Sequence, residues 1–203
     1  MYKLKRVLLI GLILSFTMSL WGCHNRAIGT GTSRNKSVAS MLQNLKNYEA
    51  DVSITFTKNK DKSNIKMNHV YDKEGKYQMT IIEPKRLNGY TTVCDGTKVS
   101  EYNPITEKSM QIEVSPVKNQ LLFGTFLHNY LNNESAQIVE EQLDGQNVYA
   151  VTVPIAGEFK YMATEKVWFD YKTTYPIKME IYDTEGSLTI RIDFVNFIYN
   201  PVK

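Results

Sequence analysis

Residues 50 to 57 alternate without a slip: Ala50, Val52, Ile54 and Phe56 are apolar, and Asp51, Ser53, Thr55 and Thr57 are polar. A period of two is the signature of an antiparallel strand with one buried and one wet face. Just before it the period is helical. Val38, Met41, Leu42 and Leu45 fall at i, i+3, i+4 and i+7, with Ser37 placed to cap them, so an amphipathic helix leads into the first strand. Packing on a sheet suits this helix better than lying on a membrane, which would want a basic polar face.

Short β-prone runs then return in hairpin order. The pattern predicts strands over 65–72, 76–83, 89–94, 98–103 and 109–114, the last with Met110, Ile112 and Val114 on one face. Glu74-Gly75 supplies one turn. The clearest unit runs from Glu83 to Asn103. There Asp95-Gly96 separates two β-prone runs and suits a type I′ turn, while Pro84 and Pro104, unable to donate to a central ladder, mark the ends. Ser115-Pro116 opens a second helix that reaches Asn132-Asn133, with Leu121, Leu122, Leu127, Tyr130 and Leu131 as its apolar content.

Five more strands are predicted, over 136–143, 146–154, 164–170, 176–182 and from 188 onward, with turns at Asp144-Gly145 and Glu185-Gly186. In the last, Leu188, Ile190, Ile192 and Phe194 keep one phase and Phe197 and Tyr199 the other, which predicts a bulge near Val195-Asn196. Eleven antiparallel strands and two helices make a mainly β, α+β domain whose sheet is too large to stay flat. The expected architecture is an unclosed half-barrel with the helices packed on its concave face, a single domain over residues 37–203.

Residues 1–22 read as an export signal. Lys3, Lys5 and Arg6 precede an apolar run from Val7 to Leu20, shorter than the roughly 18 residues a membrane span needs. The run ends in Leu20-Trp21-Gly22-Cys23, a lipobox whose processing leaves Cys23 carrying diacylglycerol. An uncleaved anchor with a chance cysteine is the competing reading. Two acyl chains give stable attachment where one is marginal, so Cys23 is the expected lipid attachment site of an extracytoplasmic, membrane-held protein. Residues 23–36 hold Gly29-Thr30-Gly31-Thr32-Ser33 and no apolar period, and read as a flexible tether. A stretch of that length reaches at most about 45 Å.

Setting the signal aside changes the charge. The chain has 24 Lys+Arg against 21 Asp+Glu, and the three basic residues of the signal account for the whole excess. The mature chain is formally neutral, which removes the main support for nucleic-acid binding.

Candidate chemistry is sparse. His24, His69 and His128 lie far apart with no ligand spacing, so no metal or other cofactor is expected. Once Cys23 is lipidated, Cys94 is the one free thiol, either a small half-buried hydrophobe or a partner in an intermolecular disulfide. Ser63-Asn64-Ile65-Lys66 and Ser115-Pro116-Val117-Lys118 match Ser-x-x-Lys, but the Ser-Asp-Asn and Lys-Thr-Gly elements of acyl-serine enzymes are missing. No catalytic residue is assigned, and the chain is not expected to be an enzyme. Tyr48, Tyr71, Tyr77, Tyr90 and Tyr102 lie in or beside strands, as ordinary sheet residues or as an amphipathic binding face.

The progression from the helix into Asn47-Tyr48-Glu49-Ala50-Asp51-Val52, then Glu83-Pro84, then Cys94-Asp95-Gly96-Thr97 and Tyr102-Asn103-Pro104 resembles the LolA/LolB lipoprotein-carrier superfamily. The resemblance implies an eleven-stranded unclosed barrel plugged by helices. The soluble carrier has no lipid anchor, whereas this chain has Cys23, which argues against shuttling between membranes. Size, lipobox and composition are most similar to the lipid-anchored germination lipoproteins of spore-forming clostridia. That likeness implies a non-enzymatic partner of the N-acetylmuramoyl-L-alanine amidase that modifies spore-cortex peptidoglycan, a homodimer, and a place on the forespore or spore membrane. The partner-binding residues are not assigned. The alternative is a carrier or receptor that holds acyl chains in the concave face, which requires an apolar cavity of several hundred Å³.

Overall fold

The computed structural model describes residues 35–57, 63–113 and 115–200. The order is α1 (Asn35–Asn44), β1 (Asn47–Phe56), β2 (Ser63–Asp72), β3 (Lys76–Glu83), β4 (Thr91–Asp95), β5 (Val99–Asn103) and β6 (Lys108–Ile112), then α2 (Pro116–Asn119) and α3 (Phe123–Leu131). β7 (Ile138–Leu143), β8 (Gln146–Pro154), β9 (Thr164–Asp170), β10 (Pro176–Tyr182) and β11 (Leu188–Tyr199) complete the chain. All eleven strands form one antiparallel sheet in the order β6-β5-β4-β3-β2-β1-β11-β10-β9-β8-β7. Two meanders are therefore joined at the centre by the first and last strands. β6 and β7 are left as edges, so the half-barrel is unclosed, as expected.

The alternation in β1 does what its period demands. Tyr48, Ala50, Val52 and Ile54 are buried, and their neighbours face outward. β11 pairs with β1 in register from Tyr199 to Asn196; Val195 is then skipped, so that Val52 meets Phe194. The bulge sits at the expected place. It re-phases the strand so that Ile190 and Ile192 before it and Phe197 after it all reach the core.

The helices cover the inner face. In α1 the stripe Val38, Met41 and Leu42, with Leu45 beyond it, is buried. Ser37 is not the cap: the helix starts at Asn35, inside the stretch expected as tether, and Ser37 is exposed within its first turn. The expected second helix is two helices, because Leu122 takes an extended conformation (φ −89°, ψ 131°) as the residue preceding α3. The break turns Phe123, Phe126, Leu127 and Tyr130 onto the sheet.

Phe123 is the hub. Its ring lies 5.4 to 6.2 Å from those of Tyr48, Phe126, Phe169, Phe194 and Phe197. Tyr48 is stacked between Tyr71 at 5.2 Å and Phe197 at 5.3 Å, and its hydroxyl accepts a hydrogen bond from the Gly124 N–H at 3.4 Å. Gly124 is required by space, because a Cβ there would stand 2.2 Å from a ring carbon of Tyr71. Overpacking costs about 1–3 kcal/mol, while alanine regains about 1 kcal/mol of helix propensity. Gly124→Ala should lower stability by up to about 2 kcal/mol in urea denaturation; a raised midpoint would mean that Tyr71 swings aside freely.

Two turns differ from expectation. The β4–β5 turn is not centred on Asp95-Gly96 but one residue later. Gly96 takes φ 97° as its first central residue, and the Asp95 carboxylate accepts hydrogen bonds from the Thr97 and Lys98 N–H groups at 2.8 Å each. Those bonds hold the Asp95 carboxyl down at about 2. The left-handed pair expected there occurs instead at Asp144 (φ 51°) and Gly145 (φ 79°). The face expected for Met110, Ile112 and Val114 is not buried. β6 is an edge that ends at Ile112, Met110 is 67% exposed, and Val114 lies outside the described residues.

Candidate functional site

The half-barrel is covered unevenly, and the gap forms a cavity. α3 places four large side chains over the β8–β11 side. Among the described residues the β2–β5 side has only α2, one turn long. Beneath α2 remains a cavity of about 380 Å³, floored by Phe56, Ile65, Met67, Met79 and Ile81 and roofed by Val117 and Leu121. Phe56 ends β1, and the other floor residues are the inward phase of β2 and β3. Asn119 positions α2: its side-chain oxygen accepts from the Tyr77 hydroxyl at 2.8 Å, and its carbonyl accepts from the Thr125 hydroxyl at 2.6 Å.

The polar part of the wall is concentrated. Tyr90, Thr92, Tyr102 and Ser115 contribute hydroxyls, and Glu101 of β5 forms an ion pair with Lys118 of α2. This decides the fate of the Ser-x-x-Lys matches. Ser115 acts as a cap, its Oγ accepting from the Lys118 N–H at 3.4 Å, while the Lys118 ammonium is held by Glu101. Lys66 pairs with Glu83 at 3.0 Å, and its odd spacing from Ser63 puts the two on opposite faces of β2. Neither serine has its lysine as a base.

A histidine and a carboxylate are buried elsewhere in the inner face. His69 of β2 lies between Ala50 and Met79 in register and is fully buried. Among the described residues neither of its ring nitrogens has a hydrogen-bond partner, and burial lowers its pKa to about 4. Glu165 of β9, between Val153 and Ile181, is also fully buried. Its Oε1 accepts from the Asn129 amide of α3 at 2.7 Å, and burial raises the carboxyl to about 7. Neither is among the residues expected from the sequence, although a signal exists. Each sits in the inward phase of its strand, His69 after Ile65 and Met67, and Glu165 before Val167 and Phe169.

The tyrosines divide. Tyr48 and Tyr77 are core, whereas Tyr90 and Tyr102 line the cavity. Cys94 is half-buried and packs against the main core. Cys23 and the export signal lie outside the described residues. Among the described residues no helix is long and apolar enough to cross a membrane, and no three His, Cys, Asp or Glu side chains gather as a metal site would require.

The comparisons with known proteins bear on what this scaffold serves. A family model described as sporulation protein YdcC-like matches residues 4–202. The chain belongs to the YdcC-like sporulation protein family. No curated protein matches it. Among solved structures, the YdcC-like chain is similar to one in the complex of the CwlD amidase from Clostridioides difficile with the GerS lipoprotein, at 24% identity. That match covers 85% of this chain and 98% of that one with a TM-score of 0.52. An uncharacterized conserved protein from Thermus thermophilus matches at 11% identity, covering 83% of this chain and 88% of that one, also with a TM-score of 0.52. A LolA-superfamily protein from Nitrosomonas europaea matches at 11% identity, 83% and 94% coverage and a TM-score of 0.45. At these identities the first two likenesses establish a shared fold.

Proposed function

We propose that this YdcC-like protein is a non-enzymatic lipoprotein, anchored through Cys23 outside the cytoplasm, that binds and activates an N-acetylmuramoyl-L-alanine amidase acting on spore-cortex peptidoglycan. The observation that carries this reading is the sporulation family match over residues 4–202. The amidase is supported by the likeness, over 98% of its partner's length, to a chain of an amidase–lipoprotein complex. The modification served is muramic-δ-lactam formation, which lets germination enzymes recognise the cortex, and the protein acts from the forespore or spore membrane as a homodimer. The open edges β6 and β7 are natural places for another chain to add a strand.

The test is a pull-down from sporulating cells with mass spectrometry, followed by amidase assays with and without the purified chain. A stoichiometric amidase whose activity depends on the chain is expected. Full activity of the lone amidase would overturn the reading.

A second reading has an observation of its own. The 380 Å³ apolar cavity lies within the range of small-molecule sites and supports a carrier or receptor that holds an acyl chain. Organic extraction of the purified protein should then release lipid in stoichiometric amount, and a lipid-free extract with no uptake of added lipid would count against it.

A further inference from the structure

The cavity under α2 is mostly apolar, and the charged groups on its wall are Glu101 and Lys118. Both side chains line it, and both are partly open to water, Lys118 at 41% and Glu101 at 36% exposure. The ion pair therefore stands where the cavity meets solvent, positioned to handle the polar end of a guest whose apolar end is inside. A guest with a purely negative head would be drawn to Lys118 and repelled by Glu101 within the same few ångströms. A purely positive head would meet the reverse. Only a head carrying both signs can open the pair and leave neither half-desolvated charge alone, exchanging one ion pair for two.

We propose that the cavity is a binding site for a single-chain zwitterionic amphiphile, its chain among Ile65, Met67, Met79, Ile81 and Leu121, its anionic group on Lys118 and its cationic group on Glu101. This rests on the second reading above and adds the class of head that the site accepts. The volume is that of about a dozen groups of water size, at roughly 30 Å³ each, which suits one chain rather than two. Met67 and Met79 are unbranched and adapt to an irregular guest. Ser115 and Thr92 supply hydroxyls on the same wall.

Calorimetric titration of the full chain with four amphiphiles of equal chain length tests this, each kept below its micelle concentration. The probes are dodecylphosphocholine, dodecyl phosphate, dodecyltrimethylammonium and dodecyl maltoside. The phosphocholine is expected to bind at least tenfold more tightly than any of the others. Glu101→Gln should move the preference to dodecyl phosphate, and Lys118→Met to dodecyltrimethylammonium. Equal binding of all four overturns the head-group proposal and leaves the apolar-chain reading standing. No binding by any overturns both. The comparison within the unaltered protein decides the matter even where a variant fails to fold.

Discussion

Phe123→Ala is expected to cost about 3–5 kcal/mol, the range for deleting a fully buried aromatic ring from a packed interior. The ring is completely buried and touches α3, β1, β9 and β11 through five aromatic partners. Its loss opens a void at the junction of those elements. Domains of this kind are stable by only about 5–15 kcal/mol, so one substitution removes a large share of the total. Urea denaturation should show a midpoint shift to match, with an unchanged slope. Met67→Ala supplies the contrast. Met67 borders the cavity and already lacks partner atoms on one side, so its truncation forfeits fewer dispersion contacts and should cost about 2 kcal/mol, the low end for a buried methionine. Equal costs at the two positions would mean that the cavity is filled or collapsed in solution.

Much of this scaffold is legible in the sequence because local pattern fixes it. The stripe Val38-Met41-Leu42-Leu45, the alternation of β1 and the turn at Asp144-Gly145 each follow from short-range periods, and the bulge at Val195 follows from a phase change visible along β11. Local pattern fails where the outcome depends on distant chain. The sheet's central pairing joins β1 to β11 across the whole domain, and no hairpin signal encodes it. The break at Leu122 is likewise a tertiary decision, taken because it turns Phe123 and Phe126 inward. The cavity is not legible at all. It exists because α2 is too short to fill the space over β2 and β3, a mismatch of volumes rather than a motif. Lys118 is readable only as part of a tetrapeptide, and the structure gives it to Glu101, which lies on a strand of the preceding meander.

Buried His69 and Glu165 lead to the second large effect, in which opposite pH dependences hide each other. Burial raises the Glu165 carboxyl from its ordinary 4.5 to about 7. The folded chain thus keeps a proton that the unfolded chain releases, and stability falls as pH rises from about 4.5 to 7. Burial lowers His69 from 6.5 to about 4. Here the unfolded chain takes up a proton that the folded chain refuses, and stability falls as pH drops from about 6.5 to 4. Each slope is about 1.4 kcal/mol per pH unit, so between about 4.5 and 6.5 they cancel.

Single substitutions should expose the hidden terms. Glu165→Gln mimics the protonated acid and keeps an acceptor for Asn129. Relative to the parent it should gain nothing near pH 4 and about 3 kcal/mol above pH 7, the gain growing through the interval between. His69→Leu should gain most, to a similar extent, below pH 4, and the gain should vanish above about 6.5. Stability curves taken in urea at several pH values check both at once. Differences from the parent that stay constant across pH would mean that neither group changes its proton affinity on folding. The doubly substituted chain should again parallel the parent between pH 4.5 and 6.5, offset upward by the two removed penalties, because the two residues sit in separate halves of the sheet and their effects add.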